Sequence, residues 1–114
     1  MDQLPDIPVD IVLTVLTTTD SADQARSLAE GAVAARHAAC AQVSGPVTSV
    51  YRWQGAVTTD QEWQVLLKTT ADSYPALERW ITEAHDYDTP EIIATPVLRG
   101  SADYLRWVRE ETAK

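Results

Sequence analysis

Residues 51–70 read YRWQGAVTTDQEWQVLLKTT. Two runs rich in Val, Thr, Trp, Tyr and Leu, 47–53 and 57–68, flank Gln54-Gly55. Glycine supplies a positive φ there without steric cost, so the stretch predicts a β-hairpin. At ~3.3 Å per residue the second arm reaches roughly 40 Å, about twice an ordinary strand. A small single-layer domain cannot cover such an arm along its whole length, so the outer part needs partner strands from elsewhere.

On the N-terminal side, residues 10–18 (DIVLTVLTT) are β-rich and apolar on both faces between 11 and 16, which predicts a central first strand. Ser21-Ala22-Asp23-Gln24 is a capping box, and Ala25, Leu28, Ala29, Ala32 and Val33 form the stripe of a helix ending near the basic pair Arg36 and His37. Residues 40–43 lead through Gly45-Pro46, where a bend or bulge is expected because proline cannot donate to a ladder.

On the C-terminal side, Ser73 and Pro75 open a second helix with Leu77, Trp80, Ile81 and Ala84 on one face, stopping near His85. Residues 91–97 predict a short edge strand, and Gly100-Ser101 opens a last helix carrying Leu105 and Val108. The order β-α-β-β-α-β plus a terminal helix predicts an α+β fold: a ferredoxin-like split βαβ antiparallel sheet with both crossover helices on one face. The other face is expected to be bare. Bare face and overhanging hairpin together predict a homo-oligomer in which hairpins pair edge to edge and close a ring.

The 114 residues suit one domain, taken as 10–114 behind a flexible head at 1–9. Cys40 is the sole cysteine, so no internal disulfide can form. The head is acidic and proline-bearing, unlike a signal peptide, and no apolar run approaches the ~20 residues of a membrane span. A soluble, cytoplasmic protein is expected. Seventeen acidic against nine basic side chains give a net charge of −8. Such a surface disfavours nucleic acid and suits cations, although much of it serves plain solubility.

Five segments together resemble the CutA family, the divalent-cation tolerance proteins. They are Ala38-Ala39-Cys40-Ala41, Ser49-Val50-Tyr51-Arg52-Trp53-Gln54-Gly55, Glu62 followed by Leu66-Leu67-Lys68-Thr69, His85-Asp86-Tyr87-Asp88-Thr89-Pro90-Glu91-Ile92, and Asp103-Tyr104-Leu105-Arg106-Trp107. The resemblance runs from Ile11 to Arg109. It implies a ferredoxin-like homotrimer associated with copper and other divalent cations, and no established catalytic reaction. This chain has Asp86 where the family usually has proline, which changes the stiffness of that loop. It also has Thr17 and Trp80 where some members have cysteine, so no thiolate cluster can form.

The candidate metal ligands are His85, Glu62 and Cys40. His85 opens a loop holding Asp86, Tyr87, Asp88 and Glu91, a mixture that suits Cu(II) or Zn(II); the structural alternative is a histidine that ends a helix. Cys40 follows His37 at H-x-x-C spacing, or else is a small apolar residue at a strand start. Glu62 points with Gln64 and Leu66 from mid-hairpin, where it could meet His85 or Lys68 of a neighbouring copy as ligand or ion pair. Tyr51, Trp53, Lys68, Tyr87, Glu91 and Tyr104 are the candidate pocket or interface residues. The chain has no Gly-rich phosphate loop, no Ser/His/Asp order and no paired-histidine zinc motif.

The expected function is therefore a non-enzymatic, cytoplasmic homotrimer that binds Cu(II) or another divalent cation weakly between subunits, with neither nucleic acid nor membrane as partner. A trimeric small-molecule signalling protein resembling the PII proteins, and a rigid scaffold for a protein partner, are the alternatives.

Overall fold

The computed structural model describes residues 7–114, so residues 1–6 of the expected head lie outside the described residues. Val9 is already tied down, its carbonyl accepting from Asp72 N at 2.8 Å. The elements are β1 (Val12–Thr19), α1 (Ala22–Ala34), β2 (Cys40–Trp53), β3 (Ala56–Thr70), α2 (Tyr74–Ala84), β4 (Ile93–Pro96) and α3 (Ala102–Thr112). They form one antiparallel sheet in the order β2-β3-β1-β4, as the split βαβ pattern predicts.

Period-two alternation decides which face each side chain takes. Leu13 and Val15 on β1, with Val65 and Leu67 on β3, point to one face and are buried against Ala25, Ala29 and Ala32 of α1 and Leu77 and Ile81 of α2. The alanine stripe lets α1 lie close to the sheet. Ser21 caps that helix as its sequence predicts, its hydroxyl accepting from Gln24 N at 3.0 Å.

Several expectations need correction. The second face of the sheet is not bare: α3 covers one end of it, with Val108 fully buried against Val12 and Ala39. Arg36 does not serve the end of α1. It lies beyond that helix at φ 63°, and its guanidinium donates to the carbonyls of Glu110 (2.8 Å) and Glu111 (3.0 Å), capping the C-terminal end of α3. Ser73 precedes α2 without capping it, and donates its hydroxyl to Thr112 O at 3.3 Å. Ala84 is exposed rather than part of the buried stripe, and β4 is shorter than expected.

The hairpin is as long as the sequence requires, with arms of 14 and 15 residues. Gln54 and Gly55 both have positive φ, 49° and 81°, the signature of a two-residue turn whose twist matches its strands. β1 covers β3 only from Thr70 to Trp63. From Glu62 outward, among the described residues, β3 pairs with β2 alone. Val57 on this ribbon, Ile93 on the edge strand β4 and Leu98 just beyond that strand are exposed.

Candidate functional site

The site is built by one irregularity in β2. Ser44 pairs with Gln64 and Val47 with Glu62, so Gly45 and Pro46 together face Trp63 alone. This is a β-bulge, and its extra residue reverses the parity of everything beyond it. Cys40, Gln42 and Ser44 share a face with Lys68, Leu66 and Gln64; after the bulge, Ser49, Tyr51 and Trp53 take that same face, beside Glu62. Gly45 is required there. It sits at φ 142°, and a Cβ would come within 3.0 Å of the Glu62 carbonyl oxygen and the Trp63 Cα.

Between the hairpin so aligned and the loop after α2 lies an open groove of about 570 Å³. Tyr51, Trp53 and Glu62 form one wall, Tyr87, Asp88 and Glu91 the other, and Thr18 the floor. Tyr87 donates its hydroxyl to Glu62 Oε2 at 2.8 Å and ties the two walls together. Burial, reinforced by that bond to a carboxylate, pushes the Tyr87 phenol well above its ordinary range. Tyr51 donates to Asp60, which likewise raises its phenol.

His85 holds the loop rather than opening it. Its Nδ1 accepts from Tyr87 N at 3.0 Å, which fixes the proton on Nε2, and Nε2–H donates to Thr18 O at 2.8 Å. Both ring nitrogens are thus engaged by backbone groups, and the ring is buried against Tyr87 with centroids 4.8 Å apart. In this arrangement His85 offers no free lone pair to a cation. It differs from the expected open ligand, and also from a histidine bonded to its own helix, because its acceptor is the β1 carbonyl.

The remaining candidates lie elsewhere. Cys40 is opposite Lys68, six positions along β3 from Glu62, which at ~3.3 Å per residue is about 20 Å away. Cys40 and Glu62 of one chain therefore cannot share an ion. Cys40 is half-buried, its sulfur 3.5 Å from the Tyr104 hydroxyl. That bond, with some burial, raises the Tyr104 phenol to about 12. Lys68 pairs with neither Glu62 nor Glu91 but donates to Gln42 Oε1 at 2.8 Å. His37, the other half of the H-x-x-C spacing, has its Nδ1 2.9 Å from Lys114 Nζ. Among the described residues, no three His, Cys, Asp or Glu side chains are placed to hold a metal ion. A closed metal site built from the described residues of one chain does not fit this geometry.

The structure thus gathers Glu62, Tyr51, Trp53, Tyr87 and Glu91 into one groove, sets His85 behind it, and removes Cys40, Lys68 and Tyr104 to the far end of the sheet. Thr18, Ser49, Val50, Asp88 and Thr89 complete the groove. Counting strand parity across a bulge at Gly45-Pro46 finds Ser49; no residue-type signal marks the Thr18 carbonyl.

Fold and groove together define a class: a ferredoxin-like α+β protein whose sheet carries an oversized hairpin with an acidic, aromatic groove beneath it. The chain belongs to the CutA1 family, residues 13–111 matching the description "CutA1 divalent ion tolerance protein". A divalent-cation tolerance protein CutA from Thermus thermophilus is 44% identical over 98 residues, covering 86% of this chain and 95% of that one. Its counterpart from Citrobacter koseri is 36% identical over 107 residues, covering 94% and 93%. The solved structure of a divalent cation tolerance protein from Thermus thermophilus superposes with a TM-score of 0.88 at 42% identity, over 90% of this chain and 100% of that one.

Proposed function

We propose that this protein acts in divalent-cation tolerance as a cytoplasmic, non-catalytic homotrimer, holding Cu(II) or a similar cation weakly where subunits meet. The observation that carries this reading is the unmatched hairpin. Its outer ribbon and the β4 edge present unpaired backbone and exposed Val57 and Ile93, with exposed Leu98 just beyond β4, surfaces that a second copy would satisfy. Among the described residues of one chain no three His, Cys, Asp or Glu donors come together, so in this reading a cation is held by carboxylates from more than one subunit. Glu62, Asp88 and Glu91 are the first bets, with His85 positioning the loop. Oxygen donors of this kind give weak, exchangeable binding. The names of the relatives support the cation role at family level.

An anionic effector, as in the signalling alternative, is disfavoured because the groove-lining residues include no Lys or Arg. Calorimetry of the intact protein with Cu(II) tests the reading. The expected result is saturable weak binding reduced in Glu62→Gln; binding that persists there and is lost in Cys40→Ser would place the ion elsewhere.

A further inference from the structure

Glu62 is the first carboxylate of the proposed cation site, and one of its two oxygens is already committed. Tyr87 donates its hydroxyl to Oε2 at 2.8 Å. The donor is itself held in place. Tyr87 N–H donates to His85 Nδ1 at 3.0 Å, and His85 Nε2–H donates in turn to Thr18 O at 2.8 Å, with the imidazole and phenol rings packed at a centroid distance of 4.8 Å. Tyr87 therefore reaches Glu62 from a loop fastened to β1. Its phenol is pushed well above the ordinary range, so the hydroxyl keeps its proton and stays a donor at neutral pH. All of these bonds run within one chain and require no exposed surface.

A carboxylate that gives Oε2 to a fixed donor has Oε1 left for a cation. Coordination through both oxygens would bring the cation against the hydroxyl proton. Cations differ in what this restriction costs them. Ca(II) collects roughly six to eight oxygens and readily takes two of them from one carboxylate. Zn(II) is satisfied by about four ligands and Cu(II) by a small, directional set, so a single carboxylate oxygen serves either.

We propose that Tyr87 is a positioning residue for cation selectivity: by occupying Glu62 Oε2 it confines Glu62 to coordination through one oxygen, and so disfavours Ca(II) relative to Zn(II) and Cu(II). This rests on the reading of Glu62 as a cation ligand, and narrows it from divalent cations in general to a choice among them.

The test compares Tyr87→Phe with the parent in calorimetric titrations of Ca(II) and Zn(II) on the intact protein. Removing the hydroxyl frees Oε2, so the ratio of Ca(II) to Zn(II) affinity should rise by at least about fivefold, the equivalent of one hydrogen bond. A residue that only steadied the loop would alter both cations alike. An unchanged ratio, or no Ca(II) binding by the variant, overturns the proposal. Infrared difference spectra of the parent need no Tyr87 variant to fold. With Zn(II) bound, the Glu62 carboxylate, assigned by its loss in Glu62→Gln, should show the wide splitting of stretching bands that marks one-oxygen coordination; the narrow splitting of a two-oxygen mode overturns the proposal. The two readings fail differently. Zn(II) that does not bind the parent, or binds Glu62→Gln equally well, removes the site and the proposal with it. Zn(II) binding that needs Glu62, with a ratio indifferent to Tyr87, removes the selectivity alone.

Discussion

The Tyr87 hydroxyl and the Glu62 carboxylate, 2.8 Å apart, join the loop after α2 to the point where the hairpin leaves the sheet. His85 fixes the same loop from behind through the Tyr87 amide. Loop and hairpin therefore act as one unit. Removing the phenol oxygen in Tyr87→Phe should cost about 1 kcal/mol of stability. It should also speed amide exchange in residues 86–91, measured by hydrogen exchange. Unchanged exchange there would show that the bond does not hold the loop.

His85 should carry its proton on Nε2, since Nδ1 is occupied as an acceptor. Nitrogen chemical shifts of the ring in solution report the tautomer directly. The Nε2–H form should persist when Cu(II) is added, with line broadening greater at Glu62 and Asp88 than at Cys40. Direct coordination of the His85 ring would contradict this assignment.

Thr17 and Thr19 are fully buried, and their hydroxyl oxygens have no hydrogen-bond partner among the described residues. Thr69 is equally buried, but its hydroxyl donates to His37 O at 2.7 Å. The same isosteric substitution should therefore have opposite signs. Thr17→Val should stabilise by about 1 kcal/mol, by removing an unsatisfied polar group, while Thr69→Val should destabilise by about 1 kcal/mol. Urea midpoints of the two variants decide the matter.

Gly45 places the bulge that turns Tyr51 and Trp53 toward Glu62. Gly45→Ala should cost about 1–3 kcal/mol, from a strained backbone and from the contact of its new Cβ with Trp63 and the Glu62 carbonyl. Thermal unfolding measures the loss. A variant as stable as the parent would mean the bulge is not constrained as described.

All four tyrosines have phenols raised above the ordinary value of 10.0, Tyr74 and Tyr104 to about 12. A raised folded value means the native state holds the proton more tightly than the unfolded chain. The stabilisation is complete below pH 10.0, where the unfolded phenols titrate, and is lost as pH climbs toward 12. Absorbance of phenolate should show native tyrosines titrating above the unfolded midpoint. A native midpoint at or below the unfolded one would contradict the assigned hydrogen bonds.

Much of the fold is legible in the sequence because alternation and turn chemistry act locally. Gln54-Gly55 dictates the hairpin, and the Ser21 cap and alanine stripe dictate α1. What escapes is decided by contacts without a residue-type signature. The Leu105 and Val108 stripe says that α3 buries a face but not which surface receives it. The basic pair at 36–37 looks like the end of α1, although Arg36 serves the carbonyls of α3. At the site, Glu62, Tyr51, Trp53, Tyr87 and Glu91 are identifiable as side chains with chemistry to offer. Their convergence depends on strand parity across the bulge, which also separates them from Cys40 and Lys68. His85 looks like a ligand because its two partners are backbone groups, invisible in a list of side chains.

The mass of the folded particle in dilute solution tests the account most directly, by light scattering coupled to size exclusion. An oversized hairpin satisfied by sister copies predicts three times the 12.6 kDa of one chain, retained on dilution. A fully folded particle with the mass of a single chain would contradict it.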